Sequence, residues 1–208
     1  MAGRVDERKA DIEERVPPVL ASRAFRLLWL ALISSQTAQN AVLYTLLILA
    51  IDITKTTSSA SAVVLAFIVP TVVFGVFSGV LVDRWSKRRL LILTNLARAA
   101  TAVAFFFAQD HLWALYSVTV FFASFSQLFN TTNAASIPFL VSRRQLISAN
   151  SLFSLGFTLG QVAGLIFLAP ILIKTAGAGA LFITAAAAFL FASLLARFLP
   201  YIGRQEGR

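Results

Sequence analysis

The sequence has no cysteine among its 208 residues and a single histidine, His111. The first absence excludes disulfides, a thiolate metal site and a cysteine nucleophile, and the second excludes a histidine-rich metal centre. Charge is scarce too. Only 13% of residues are Asp, Glu, Lys or Arg, where a soluble domain carries about 25%. Other absences narrow the function classes. No P-loop, G-x-x-x-x-G-K-[ST], is present for an ATP-driven exporter. No G-x-S-G serine nucleophile is present, because Val76 stands where its first glycine would precede Ser78-Gly79. Neither a carbonyl filter sequence nor a charged ring marks a channel. No carboxylate lies deep in an apolar run, since Asp52, Asp83 and Asp110 all sit near run ends. No cofactor or metal is expected, and no enzyme activity.

What is present is apolar. Hydrophobic residues make up 58% of the chain and mean hydropathy is +0.81, the composition of an integral membrane protein. Six stretches have the roughly 20 apolar residues of a spanning helix: 25–51, 60–82, 90–108, 112–135, 148–173 and 179–199. They are continuous, without the period-2 alternation of a membrane barrel. Of the 18 cations, 15 fall in the N-terminal segment, the loops after spans two and four, and the C-terminal tail. Lys and Arg concentrate on the cytoplasmic side, so both termini are expected to be cytoplasmic and the spans to form three hairpins. The net charge of +9 then needs no nucleic-acid partner. Residues 1–24 mix both signs of charge around Pro17-Pro18 and lack the layout of a secretory signal. They are read as a cytoplasmic tail before a bundle over 25–199.

Residues 79–88 read Gly79-x-Leu81-x-Asp83-Arg84-x-Ser86-Lys87-Arg88. This resembles the signature loop of the major facilitator superfamily, G-x-L-a-D-r-x-G-r-k, which lies between the second and third spans. Ser86 replaces the second glycine. Phe25-Arg26-x-Leu28-Trp29, Thr57-Ser58-Ser59, Ile137-Pro138-x-Leu140-Val141 and Ser148-Ala149-Asn150-Ser151-Leu152 resemble the macrolide-efflux and enterobactin-exporter branch. Gly156-x-x-x-Gly160-Gln161-x-x-Gly164 is similar to the antiporter pattern G-x-x-x-G-P-x-x-G, with Gln161 in the proline's place. The resemblance implies a secondary transporter working by alternating access, an ion-coupled exporter of a small molecule or drug in the plasma membrane. It also implies that Asp83 engages the other half of the carrier. Gly79 allows close approach of another backbone. Asp83, at the C-terminal end of span two, is unfavourably placed by the helix dipole and needs a partner. A surface pair with Arg84 or Arg88 is the plainer alternative, worth about 0–1 kcal/mol.

Arg98 is the one charge well inside a span, roughly 12 Å from its inner end. Snorkelling, a structural bond, and a role in coupling or binding all remain open for it. Spans one and four hold clusters of amides and hydroxyls. Lipid-facing helices do not need these groups, so they are expected to line water or protein. Each half of this superfamily is a 3 + 3 inverted repeat that pairs these two spans. The resemblance puts them around the central cavity and makes Gln36, Asn40, Tyr44, Gln127 and Asn130 the substrate-contact candidates. Interhelical hydrogen bonding without a substrate is the competing reading. For Gly156, Gly160 and Gly164 the competing reading is packing.

Superfamily members have twelve spans in two halves, and six are counted here. Residues 200–208 stand where the linker between halves would begin. The chain is thus expected to be the N-terminal half of such a fold, partnered by a C-terminal half or a second six-span chain. A non-transporting six-span scaffold, a truncated remnant and an importer are the alternatives.

Overall fold

The computed structural model describes residues 18–201, and all regular structure among them is helical. Most of the expected N-terminal tail (1–17) and of the expected linker (202–208) lies outside the described residues. Six helices follow a short turn at Val19–Ala21: α1 (Arg23–Thr54), α2 (Thr57–Arg84), α3 (Lys87–Ala108), α4 (Leu112–Leu140), α5 (Leu146–Val162) and α6 (Ala169–Arg197). Ser22 starts α1, its Oγ accepting from the Phe25 N–H. Lys55 ends α1 in the left-handed region (φ 56°). The connection to α2 is thereby only two residues long.

Between α5 and α6 the chain stays helical, widening to π turns over Ala163–Leu168. Pro170 follows directly. It has no N–H for the carbonyl one turn back, and its ring crowds that carbonyl. The helical run 143–197 counts as one of five continuous helices long and apolar enough to cross a membrane. The fifth and sixth expected spans are thus joined without a separate loop, in one run that is kinked and doubles back. The reversal is at Gly177, whose φ of 80° and ψ of 173° suit a residue without Cβ. The packing requires the reversal. Gly160 lies against Gln36 on α1, while Ala188 accepts a hydrogen bond from Ser34 Oγ (3.1 Å), also on α1. On a straight helix residues 160 and 188 would be roughly 42 Å apart. The run therefore makes two passes of the bundle.

Two apolar clusters fill the interior. One, toward the Lys55 and Gly177 end, gathers Leu46, Phe105, Phe122, Phe182 and Phe189. Phe105 meets Phe182 at 5.4 Å and Phe122 at 5.7 Å between ring centroids. The other, toward the cation-rich end, gathers Phe25, Leu28, Leu91, Phe129 and Ile137. A polar layer lies where the two clusters meet.

Candidate functional site

Arg98 stands at the middle of α3 and is fully buried. It does not snorkel. Its Nη2 donates to the Ser35 carbonyl (3.2 Å) and to Gln39 Oε1 (2.9 Å), both on α1. Its guanidinium carbon lies 4.2 Å from the ring centroid of Phe189, 4.8 Å from Phe129 and 5.7 Å from Phe122. An arginine at a helix centre costs about 2.5–3.5 kcal/mol on insertion scales. A desolvated cation over an aromatic face recovers up to about 2 kcal/mol, and a hydrogen bond to a charged group about 1.5–3 kcal/mol. Three rings and two acceptors therefore offset part of the cost of burial without a carboxylate.

The layer extends from Arg98. One turn away, Asn95 accepts from Ser35 Oγ (2.8 Å) and donates to the Leu91 carbonyl (2.9 Å). Ser126 and Asn133 are buried on α4. Among the described residues, Ser126 Oγ, both amide atoms of Asn133, Arg98 Nε and Nη1, and Gln36 Oε1 have no hydrogen-bond partner. Buried polar atoms left unpaired cost about 1–3 kcal/mol each, so this layer trades stability for polarity at mid-depth. Sequence reasoning did not single out Asn95 or the three phenylalanines. The signal was their spacing: Asn95 and Arg98 share one face of α3, and Ser35 and Gln39 share one face of α1.

The five cavity candidates separate. Gln36 Nε2 donates to Asn130 Oδ1 at 2.8 Å, tying α1 to α4. Gln127, half-buried on α4, reaches Thr131 Oγ1 at 3.4 Å, and Thr131 meets Ser78 Oγ of α2 at 3.0 Å. Asn40 turns back to the Gln36 carbonyl (2.8 Å) and faces Gly164 of the π stretch. Tyr44 packs against the apolar cluster at the Gly177 end. The structure thus brings Gln36 and Asn130 together, with Gln127 and Thr131 beside Ser78 at the α2–α4 contact, and sends Asn40 and Tyr44 elsewhere.

The glycines of α5 and the π stretch receive α1. A Cβ on Gly156 would meet Trp29 Nε1 at 2.6 Å, and one on Gly160 would meet Gln36 Cβ at 2.6 Å. Gly164 is closer still to the Thr37 carbonyl. Trp29 Nε1 donates to the Leu152 carbonyl (2.7 Å), closing the same seam. Gln161 projects away from the seam and is exposed, in line with exposed Ser151, Ser154 and Thr158. Their 3-4-3 spacing is one face of a helix.

The signature loop divides in the same way. Lys87 is buried, its Nζ 4.8 Å from the Phe139 ring centroid and 3.4 Å from the Val82 carbonyl. Arg88 donates to the Arg197 carbonyl at the end of α6. Asp83 and Arg84 are exposed. A Cβ on Gly79 would meet nothing within 4 Å, so no described helix approaches it. Leu81 and Arg84 line a groove of about 530 Å³ with Phe74, Phe77, Trp85 and Ser124. Among the described residues no group of three or more His, Cys, Asp or Glu is placed to hold a metal.

A sequence profile of the Major Facilitator Superfamily matches residues 28–207. The chain is 25% identical over 176 residues to an uncharacterised MFS-type transporter, YfiS, of Bacillus subtilis (strain 168), over 82% of this chain and 42% of that protein. Its fold is similar to the crystal structure of the POT family transporter PepTSo, with a TM-score of 0.78 and 13% identity over 90% of this chain and 40% of that one. An auto-inhibited POT family peptide transporter is similar too, with a TM-score of 0.74 and 12% identity over 88% of this chain and 39% of that one. At those identities the structural likeness is one of fold. The chain spans about two fifths of the length of these relatives.

Proposed function

Because the chain belongs to the major facilitator superfamily, a family of membrane transporters, we propose that it is the N-terminal half of a secondary transporter. It would move a small molecule by alternating access against a second six-span half. One observation carries the reading: the exposed row Ser151, Ser154, Thr158 and Gln161 on α5. An amide at membrane depth is poorly placed against lipid tails and well placed against water or another protein. With the half-buried Gln127 and Asn130, this row would form one wall of a polar path whose other wall is the second half, and Gln36, fully buried, would act only through its hydrogen bond to Asn130. Gly79, half-buried with open space beside it, and exposed Asp83, both on α2, would face that half, with Asp83 latching one access state. The termini would be cytoplasmic, by the distribution of cations, in the plasma membrane. Export and ion coupling rest on the resemblance to the macrolide-efflux and enterobactin-exporter branch. The glycines resembling the antiporter pattern pack the α1–α5 seam.

The test is the mass of the protein in native membranes, detected with an antibody against residues 1–20. A band near twice the 22.6 kDa of this chain, or a 22.6 kDa chain that co-purifies with a second six-span chain, is expected. A 22.6 kDa chain with neither a partner nor a second copy would overturn the two-half reading.

A further inference from the structure

We propose that the cation-rich ends of α3 and α6 form a binding site for an anionic phospholipid, with its phosphodiester head in the crevice and its tails along the bundle. The inference needs only a membrane-embedded bundle and stands independently of the transport reading. The crevice, about 480 Å³, is lined by Arg88, Arg89, Ile92, Arg197 and Tyr201. Arg89 and Arg197 are exposed, and Arg88 is held in place by its hydrogen bond to the Arg197 carbonyl.

Three observations converge on this occupant. First, no acid among the described residues lines the crevice. The acids among the described residues are Asp52, Asp83 and Asp110. Asp52 and Asp110 lie at the opposite end of the bundle, and Asp83 ends α2, a helix that does not line the crevice. Second, Lys87, Arg88 and Arg89 occupy the first turn of α3, with no acid there. Cations at a helix N-terminus are opposed by its dipole, while an anion is favoured by both the dipole and the free N–H groups. A bound phosphate would satisfy the helix end and the arginines together. Third, the crevice is continuous with apolar surface. Leu93 and Leu96 on α3 and Phe191, Leu194 and Phe198 on the α6 side are exposed. Tyr201 stands at the rim, where an amphipathic ring suits the membrane interface. Basic pockets between helices on the cation-rich side bind anionic head groups. A soluble phosphate would use the arginines but not this apolar strip, so the strip favours a lipid.

The experiment is native mass spectrometry of the 208-residue chain released from vesicles of phosphatidylcholine containing phosphatidylglycerol, scoring retained lipid. Phosphatidylglycerol should be retained in preference to phosphatidylcholine. The R89Q/R197Q variant should bind it about 30-fold more weakly, the worth of two interfacial cations. R89K/R197K should keep most of the binding. R143Q/R144Q, which removes the same charge beside α5, should leave it unchanged. Both substituted positions are exposed, and unchanged helicity by circular dichroism would show that the variant folds. Equal losses in the two glutamine variants would reduce the effect to diffuse surface charge and overturn the site. Displacement of the lipid by inorganic phosphate would overturn the lipid as occupant.

Discussion

The α2 and α3 helices meet at the same loop, and both are long and apolar enough to cross a membrane, yet they are opposites. In their most apolar windows α2 has the higher mean hydropathy, 2.4 against 1.8, and the lower share of buried residues, 17% against 44%. The less apolar helix is the one in the core. In water this order would be a folding error. In a membrane it follows from the solvent: lipid tails are as apolar as leucine, so burial is not driven by hydropathy. A helix moves inward because it carries groups that lipid rejects and that other helices can satisfy. Arg98 and Asn95 draw α3 into the layer against α1. Much of the surface of α2 is apolar and finds lipid, or another protein, equally acceptable.

The largest test of this contrast is Gly160→Leu. Its side chain has no room against Gln36 Cβ. The α1–α5 seam should open, with a loss of about 3 kcal/mol or more, read as a lower thermal midpoint by circular dichroism in detergent. An unchanged midpoint would mean that small residues do not hold the seam.

A smaller effect should follow removal of an Arg98 acceptor. Gln39→Leu leaves the guanidinium buried with one partner fewer and should cost about 1.5–3 kcal/mol in the same assay. Arg98→Met removes the charge together with its demand, and apolar replacement of a buried charge at similar volume is often neutral or stabilising. It should therefore recover stability in the Gln39→Leu background. If the double variant is less stable than Gln39→Leu alone, the three aromatic rings stabilise the guanidinium by more than its burial costs, and the layer is not a cost.

The smallest effect belongs to α2. Gly79→Ala adds a methyl group to open space and should change the stability of this chain by no more than about 0.5 kcal/mol. A loss beyond about 1 kcal/mol would place a neighbour against that side of α2 and weaken the contrast with Gly160. The two glycines come from two sequence motifs that read alike, as sites of close helix approach. Only one of them has a helix beside it among the described residues.

Much of the fold was legible in the sequence. Continuous apolar runs give helices because only internal hydrogen bonding satisfies the backbone in lipid, and the limits of the first four lie within five residues of those observed, while the expected break between the fifth and sixth falls at the Gly177 kink and not at the π stretch. The reversal at Gly177 was expected as a loop between separate spans. The helix breaks there at a single residue, because a glycine can take the non-helical φ and ψ that the reversal needs. The candidate site was only partly legible. Gln36 and Asn130 were named and do pair, since amides in a span must find partners. Asn40 and Tyr44 were placed in the same group by the family resemblance, but side-chain direction takes them to the π stretch and to an apolar cluster. Arg98 was visible as a buried-charge problem, while its solution, three rings from α4 and α6, was not.

The sequence by itself determined that this chain is helical, that it is embedded in a membrane, and that its cations gather at one end. Those properties depend on composition and run length, and these act locally against a uniform solvent. The tertiary structure decided which face of each helix is inside, which glycine is a contact, and which arginine is dry and which is wet. Arg98 and Arg197 are the same residue in apolar helices. One is fixed by Ser35, Gln39 and three aromatic rings drawn from distant parts of the chain, and the other is exposed at the end of its helix. Position within a run marks Arg98 as a buried-charge problem, but no local pattern names its partners, because those are joined only by packing.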